Sequence, residues 1–121
     1  YYLYEDDLQL VVTENFKRLG YPIERHHVEL IKGKVQDTLV INEPVALAHV
    51  DVDWYEPVTA CLERITPNLV VGGSIALHAY GDWSGCLKAT DDYFGRVGKD
   101  QFKFDTSAGH MLVTRKPGRG L

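Results

Sequence analysis

The chain has 121 residues, 45% of them hydrophobic and 25% charged, with a formal net charge of −4. That length suits one small domain, so residues 1–121 are expected to share a single core. No apolar stretch is long enough to cross a bilayer, no signal peptide is visible, and no strong Lys/Arg cluster invites nucleic acid.

Two cysteines, Cys61 and Cys86, stand far apart without C-x-x-C spacing. They are expected as small buried apolar residues in a reduced, cytoplasmic setting rather than as zinc ligands. The chain opens at Tyr1 and enters a strand-like YYLY at once, which reads as the start of a fragment. Asp6 or Asp7 can cap a helix whose Leu8, Val12, Phe16 and Leu19 follow helical spacing, and Gly20 and Pro22 end it. VELI, residues 28–31, reads as a second strand closed by Gly33. Residues 36–40 form a short helix or a turn. The run VALAHV extends to residue 52 as a strand buried on both faces.

Tyr55, Val58, Leu62 and Ile65 mark an amphipathic helix that tolerates Pro57 in its first turn. Pro67 and Asn68 end it, Gly72-Gly73 turns the chain, and SIAL, residues 74–77, is the next strand. Ser84 can cap a helix running to about Phe94. QFKFD and MLVTR then read as a terminal antiparallel pair, followed by a frayed PGRGL tail. Strands alternating with helices imply βαβ units and a parallel sheet with helices on both faces.

The segment HVDVDWYEP, residues 49–57, ends an apolar strand with two carboxylates, Asp51 and Asp53. Two residues apart, they share one side of the strand, where buried like charges would be costly. In an open α/β sheet that end of the strands is where ligands bind. His78 closes the following strand, with Tyr80 and Asp82 beyond it, so neighbouring strands would bring these groups to one crevice. The plainer alternative is a solvated strand end, with Asp53 capping the next helix. His26 and His27 are expected at the surface and Asp91-Asp92 on a solvated helix face. Trp54 is expected to cover the core and Trp83 to meet an acceptor, whereas His110 and Lys116 carry no signal.

Residues 49–94, with D-x-D-x-Y-E, then L-x-x-G-G, and upstream VTENFKRLG and VELIKGKVQDTL, resemble the macrocin O-methyltransferase (TylF-like) family. The likeness runs from about Glu5 to Pro117. It implies a Rossmann-like class I methyltransferase sheet, mostly parallel with a C-terminal antiparallel hairpin and truncated at the N-terminus. It also implies S-adenosylmethionine-dependent O-methylation of a hydroxyl, expected on a sugar of a natural product or similar small molecule. By the same likeness Asp53 is the catalytic base, Asp51 touches cofactor and metal, and Gly33 and Val35 lie near the adenine. Glu5 approximates the acid that holds the cofactor ribose, and Tyr80, Asp82 and Trp83 face the acceptor. Such a protein needs no nucleic acid or membrane partner and leaves room for a homo-oligomer.

Two departures qualify these expectations. The family's D-D-Y is His78-Ala79-Tyr80 here, and no G-x-G turn stands between a strand and a helix to take the cofactor's methionine end. A degenerate, non-catalytic binding or scaffold domain is therefore the alternative. A receiver-like or phosphatase-like domain would need a phosphate-handling Lys or Thr that the strand ends do not offer. Mg²⁺ prefers oxygen ligands, whereas Asp51, Asp53 and His78 suit Mn²⁺, Fe²⁺ or Zn²⁺ better. Calorimetry with Mg²⁺ is accordingly expected to give weak binding or none; tight binding abolished by Asp51→Ala would contradict that reading.

Overall fold

The computed structural model describes residues 8–78, 80 and 84–118. The expected YYLY strand, the Asp6/Asp7 cap, Glu5, Asp82 and Trp83 lie outside them. The chain divides into two compact units, residues 1–33 and 34–121.

In the first unit, helix α1 spans Leu8–Arg18. It ends where the sequence marks it. Gly20 takes φ +90°, its N–H donates to the Lys17 carbonyl, and the Tyr21 N–H reaches the Phe16 carbonyl. These two bonds satisfy carbonyls that the last turn would otherwise leave open, at a backbone angle glycine adopts without strain. A 3-10 turn follows at Ile23–Arg25. Residues 28–31, expected as a strand, adopt no regular secondary structure and join no ladder. The Leu30 carbonyl instead accepts the side-chain amide of Gln9 at 2.9 Å. A strand needs a hydrogen-bonded neighbour, and none of the described residues supplies one here.

The second unit holds α2 (Val35–Thr38), β1 (Val45–Val50), α3 (Tyr55–Ile65), β2 (Leu69–Leu77), α4 (Ser84–Val97), β3 (Phe102–Asp105) and β4 (Met111–Arg115). A 3-10 turn at Thr66–Asn68 joins α3 to β2. The sheet order is β1-β2-β4-β3; β1 and β2 run parallel, and β4 is antiparallel to both of its neighbours. The terminal hairpin thus forms where the sequence places it.

Gly72-Gly73 does not turn the chain before a new strand; both residues lie inside β2. Val45 pairs with Leu69 and Leu47 with Ser74, so the ladder bulges between these pairs. Gly72 takes φ +83°, and a Cβ on Gly73 would fall 2.9 Å from the Val70 carbonyl oxygen and 3.0 Å from that of Val45. The bulge needs a residue without a side chain at that point.

Both long helices lie on one face of this sheet, not on two. Val50, Ile75, Leu77, Met111, Val113 and Phe102 join Val58, Cys61, Leu62 and Ile65 of α3 and Cys86, Ala89, Tyr93 and Phe94 of α4 in one buried cluster. Pleating sends the alternate residues the other way. There Leu47 is 71% exposed, and Ser74 Oγ bonds Thr114 Oγ1 at 2.8 Å. The VALAHV strand is therefore buried on one face only.

Arg115 clasps the end of the core. Its guanidinium donates to the carbonyls of Leu69 at 2.6 Å and Thr66 at 2.7 Å and lies over the Phe102 ring. Arg64 donates to the carbonyls of Val35 and Leu39 and so fixes α2 on α3. Leu62, fully buried, and Leu47 test the one-sided core. Leu62→Ala is expected to cost about 2–5 kcal/mol in urea unfolding, and Leu47→Ala to stay within about 0.5 kcal/mol.

Candidate functional site

Parallel pairing sets the carboxyl ends of β1 and β2 side by side. Val50 pairs with Leu77, and the His78 backbone N–H continues the ladder by donating to the Val50 carbonyl at 2.9 Å. Asp51 follows Val50 directly, so the acidic segment and His78 do leave the sheet at one rim. Asp51 is exposed and Asp53 half-buried. Among the described residues neither carboxylate forms an ion pair or a side-chain hydrogen bond.

The helix after them begins without a side-chain cap; Trp54 holds the capping position with extended backbone. Asp53 therefore does not cap α3. Its segment is instead held by the first turn of α4, where a Cβ on Gly85 would fall 3.0 Å from the Tyr55 nitrogen and 3.2 Å from the Asp53 carbonyl oxygen. Trp54, expected over the core, is 68% exposed because that capping position lies at the rim and turns its ring outward.

His78 meets histidines rather than carboxylates. His49 Nε2 lies 3.3 Å from His78 Nδ1, one ring donating and the other accepting according to tautomer. His110, just before β4, stacks on His78 with ring centres 5.5 Å apart and planes 21° from parallel. Sequence reasoning missed His49 and His110. The only signal for His49 was its place two residues before Asp51, on the same side of the strand. His110 gave none, since its neighbour is far along the chain.

Tyr80 donates its hydroxyl to Asp91 Oδ1 at 3.0 Å. Burial, and then this bond, push the phenol above its ordinary pKa. The two residues edge a cavity of about 220 Å³ with Lys99 at its rim and Phe94, Phe104 and Met111 inside. Asp92 accepts the Tyr55 hydroxyl at 2.8 Å and pairs with Lys88 at 2.9 Å. The hydrogen bonds from Lys88 and then Tyr55 hold its carboxyl below the usual range. Asp91-Asp92 are thus bonded groups on α4 rather than merely solvated ones. In the first unit, Gly33 edges an apolar cleft of about 400 Å³ with Leu8, Val12, Leu30 and Ile31. Val35 opens α2 in the second unit and is half-buried.

The described residues contain no group of three or more His, Cys, Asp or Glu side chains arranged to hold a metal ion. They also contain no helix long and apolar enough to cross a membrane.

The macrocin-O-methyltransferase (TylF) family model matches residues 8–106. No curated protein matches the chain. Among solved structures, the O-methyltransferase NovP is 20% identical with a TM-score of 0.62, over 95% of this chain and 53% of its own. CalS11, a TDP-rhamnose 3′-O-methyltransferase of calicheamicin biosynthesis, is 23% identical in its apo structure, with a TM-score of 0.66 over 94% of this chain and 53% of its own. A second CalS11 structure gives 24% and 0.68, over 93% of this chain and 48% of its own. The chain shares their fold and spans about half of their length.

Cys61 and Cys86 are buried and unpaired, as expected. Burial raises both thiols, and for Cys86 the nearby Asp53 charge adds to the rise. At pH 7–8 iodoacetamide should leave both unlabelled in the folded protein and label both in urea; rapid labelling of either in the folded state would contradict their burial.

Proposed function

Because this chain belongs to the macrocin-O-methyltransferase (TylF) family, we propose that it forms the acceptor-activating part of an S-adenosylmethionine-dependent O-methyltransferase. The observation that carries the reading is the acidic end of β1. Asp51 and Asp53 stand at the carboxyl rim of a parallel strand pair, within a chain matched by that family over residues 8–106. The acceptor class is a sugar hydroxyl of a natural product. The structural neighbour CalS11, a TDP-rhamnose methyltransferase, supports that class by analogy of fold.

When bound, S-adenosylmethionine supplies a sulfonium methyl open to displacement by an oxygen nucleophile. The cleft beside Gly33, within the first unit, is mostly apolar in its lining, which suits a purine ring. Asp53 takes the proton from the attacking hydroxyl as the new C–O bond forms, so that no free alkoxide is needed. Asp51 orients the same hydroxyl. Half-burial of Asp53 against the first turn of α4 limits its motion, and catalysis by positioning depends on such restraint.

On the acceptor side, Tyr80 and Asp91 offer a hydroxyl and a carboxylate at the mouth of the 220 Å³ cavity. Sugar hydroxyls pair well with such groups, and the Phe94 and Phe104 rings give an apolar wall for a sugar's carbon face. A hard cation such as Mg²⁺ does not fit the residues present. His78 stands where the family pattern has a carboxylate, and its ring already contacts His49.

Asp53→Asn keeps the shape and removes the base. It is expected to lower kcat by about 10²–10⁴-fold while calorimetric binding of S-adenosylmethionine is unchanged. Full activity in that variant would remove Asp53 from the mechanism. Absence of cofactor binding by the intact protein would favour a non-catalytic binding domain instead.

A further inference from the structure

Three of the five histidines converge on one rim from three separated stretches of chain, the end of β1, the residue after β2 and the residue before β4. We propose that His49 Nε2 and His78 Nδ1 form a two-imidazole seat for a borderline divalent cation such as Zn²⁺, Ni²⁺ or Cu²⁺, with His110 bracing the His78 ring.

The distance argues for it. Ring nitrogens each about 2.0–2.1 Å from a tetrahedral Zn²⁺ stand about 3.3–3.4 Å apart. His49 Nε2 and His78 Nδ1 are 3.3 Å apart already. The rings stand 75° to each other, so they approach as separate donors rather than as a stack.

The seat is also held in place before any ion arrives. His49 lies in the β1–β2 ladder opposite Ala76, and the His78 N–H is bonded to the Val50 carbonyl. Both backbones are therefore fixed by the same parallel pairing, which limits the ordering cost of binding. Both side chains are exposed, so a hydrated ion can reach them. Asp51, two residues beyond His49 and one past the end of β1, adds negative charge to the rim.

On coordination the proton between the rings moves to the far nitrogen of its own imidazole through solvent. Each facing nitrogen then offers a lone pair, and water completes the coordination sphere. No third protein ligand is required, in keeping with the absence of a three-residue group among the described residues. Imidazole nitrogen favours ions late in the first transition row and discriminates against Mg²⁺. The assignment stands apart from methyl transfer, because it concerns ion binding and not turnover.

The test uses the intact protein carrying His26→Gln and His27→Asn, which removes the histidines outside the rim. Calorimetry should give one Zn²⁺ per chain, no competition from Mg²⁺ in excess, and at least a tenfold loss of affinity in His49→Ala and in His78→Ala. His110→Ala should lose less. Cu²⁺ electron paramagnetic resonance on the parent protein should carry hyperfine structure from two nitrogens, and this readout needs no further variant to fold. Zn²⁺ affinity unchanged in both single variants, displacement by Mg²⁺, or a Cu²⁺ spectrum without nitrogen hyperfine structure would each overturn the proposal.

Discussion

The register of β1 against β2 is the constraint on which the rest of the second unit depends. Pairing Val50 with Leu77 sets two buried side chains over α3 and α4 and, one residue further on, sets His78 against the segment that carries Asp51 and Asp53. A slip of one residue would reverse every side chain of β1, sending His49 into the core and Val50 to the open face. The bulge at Gly72-Gly73 lets this register hold beyond the Val45–Leu69 pair, because it takes up the extra residues of β2 at its amino end. The rim at the carboxyl end is left regular, which is where side-chain placement matters for chemistry.

The core that locks this register is one-sided. Helices α3 and α4 cover the face that holds Ile75, Leu77 and Val113, and each of these three is fully buried. Arg115 adds a polar clasp, its guanidinium satisfying two carbonyls at the amino end of β2 while stacked on Phe102. Charge-assisted bonds to carbonyls of this kind are among the stronger ones, and partial burial protects them from competition with water. The rim with the acidic pair and the histidines stands at the opposite end of β2 from that clasp. Structural tightness and polar, accessible groups are thus divided between the two ends of one strand, an arrangement common in open α/β sheets.

Much of the fold was legible from local pattern. The spans of α1, α3 and β4, the start of β1, the Gly20 stop and the terminal hairpin all follow from apolar spacing and from glycine and proline, which act within a few residues, whereas β1 stops at Val50, two residues short of its expected end. The same local reasoning misplaced Gly72-Gly73 as a turn, because two glycines look alike in a turn and in a bulge until the partner strand is known. It also made a strand of residues 28–31, whose alternation is real but which pair with no strand among the described residues. The one-sided burial of VALAHV was equally hidden, since an apolar run does not reveal which of its faces will be covered.

At the rim the division is sharper. By itself the sequence determined that two carboxylates end an apolar strand, that an imidazole ends the next one, and that the surrounding motif belongs to an O-methyltransferase family. Spacing of two along a strand is a covalent fact, and so is motif order. Only the tertiary structure decided that His78 meets His49 and His110 rather than Asp51 or Asp53, and that Trp54 faces outward. Those contacts join residues about thirty positions apart, and hydrogen bonding between strands, not chain geometry, brings them within reach.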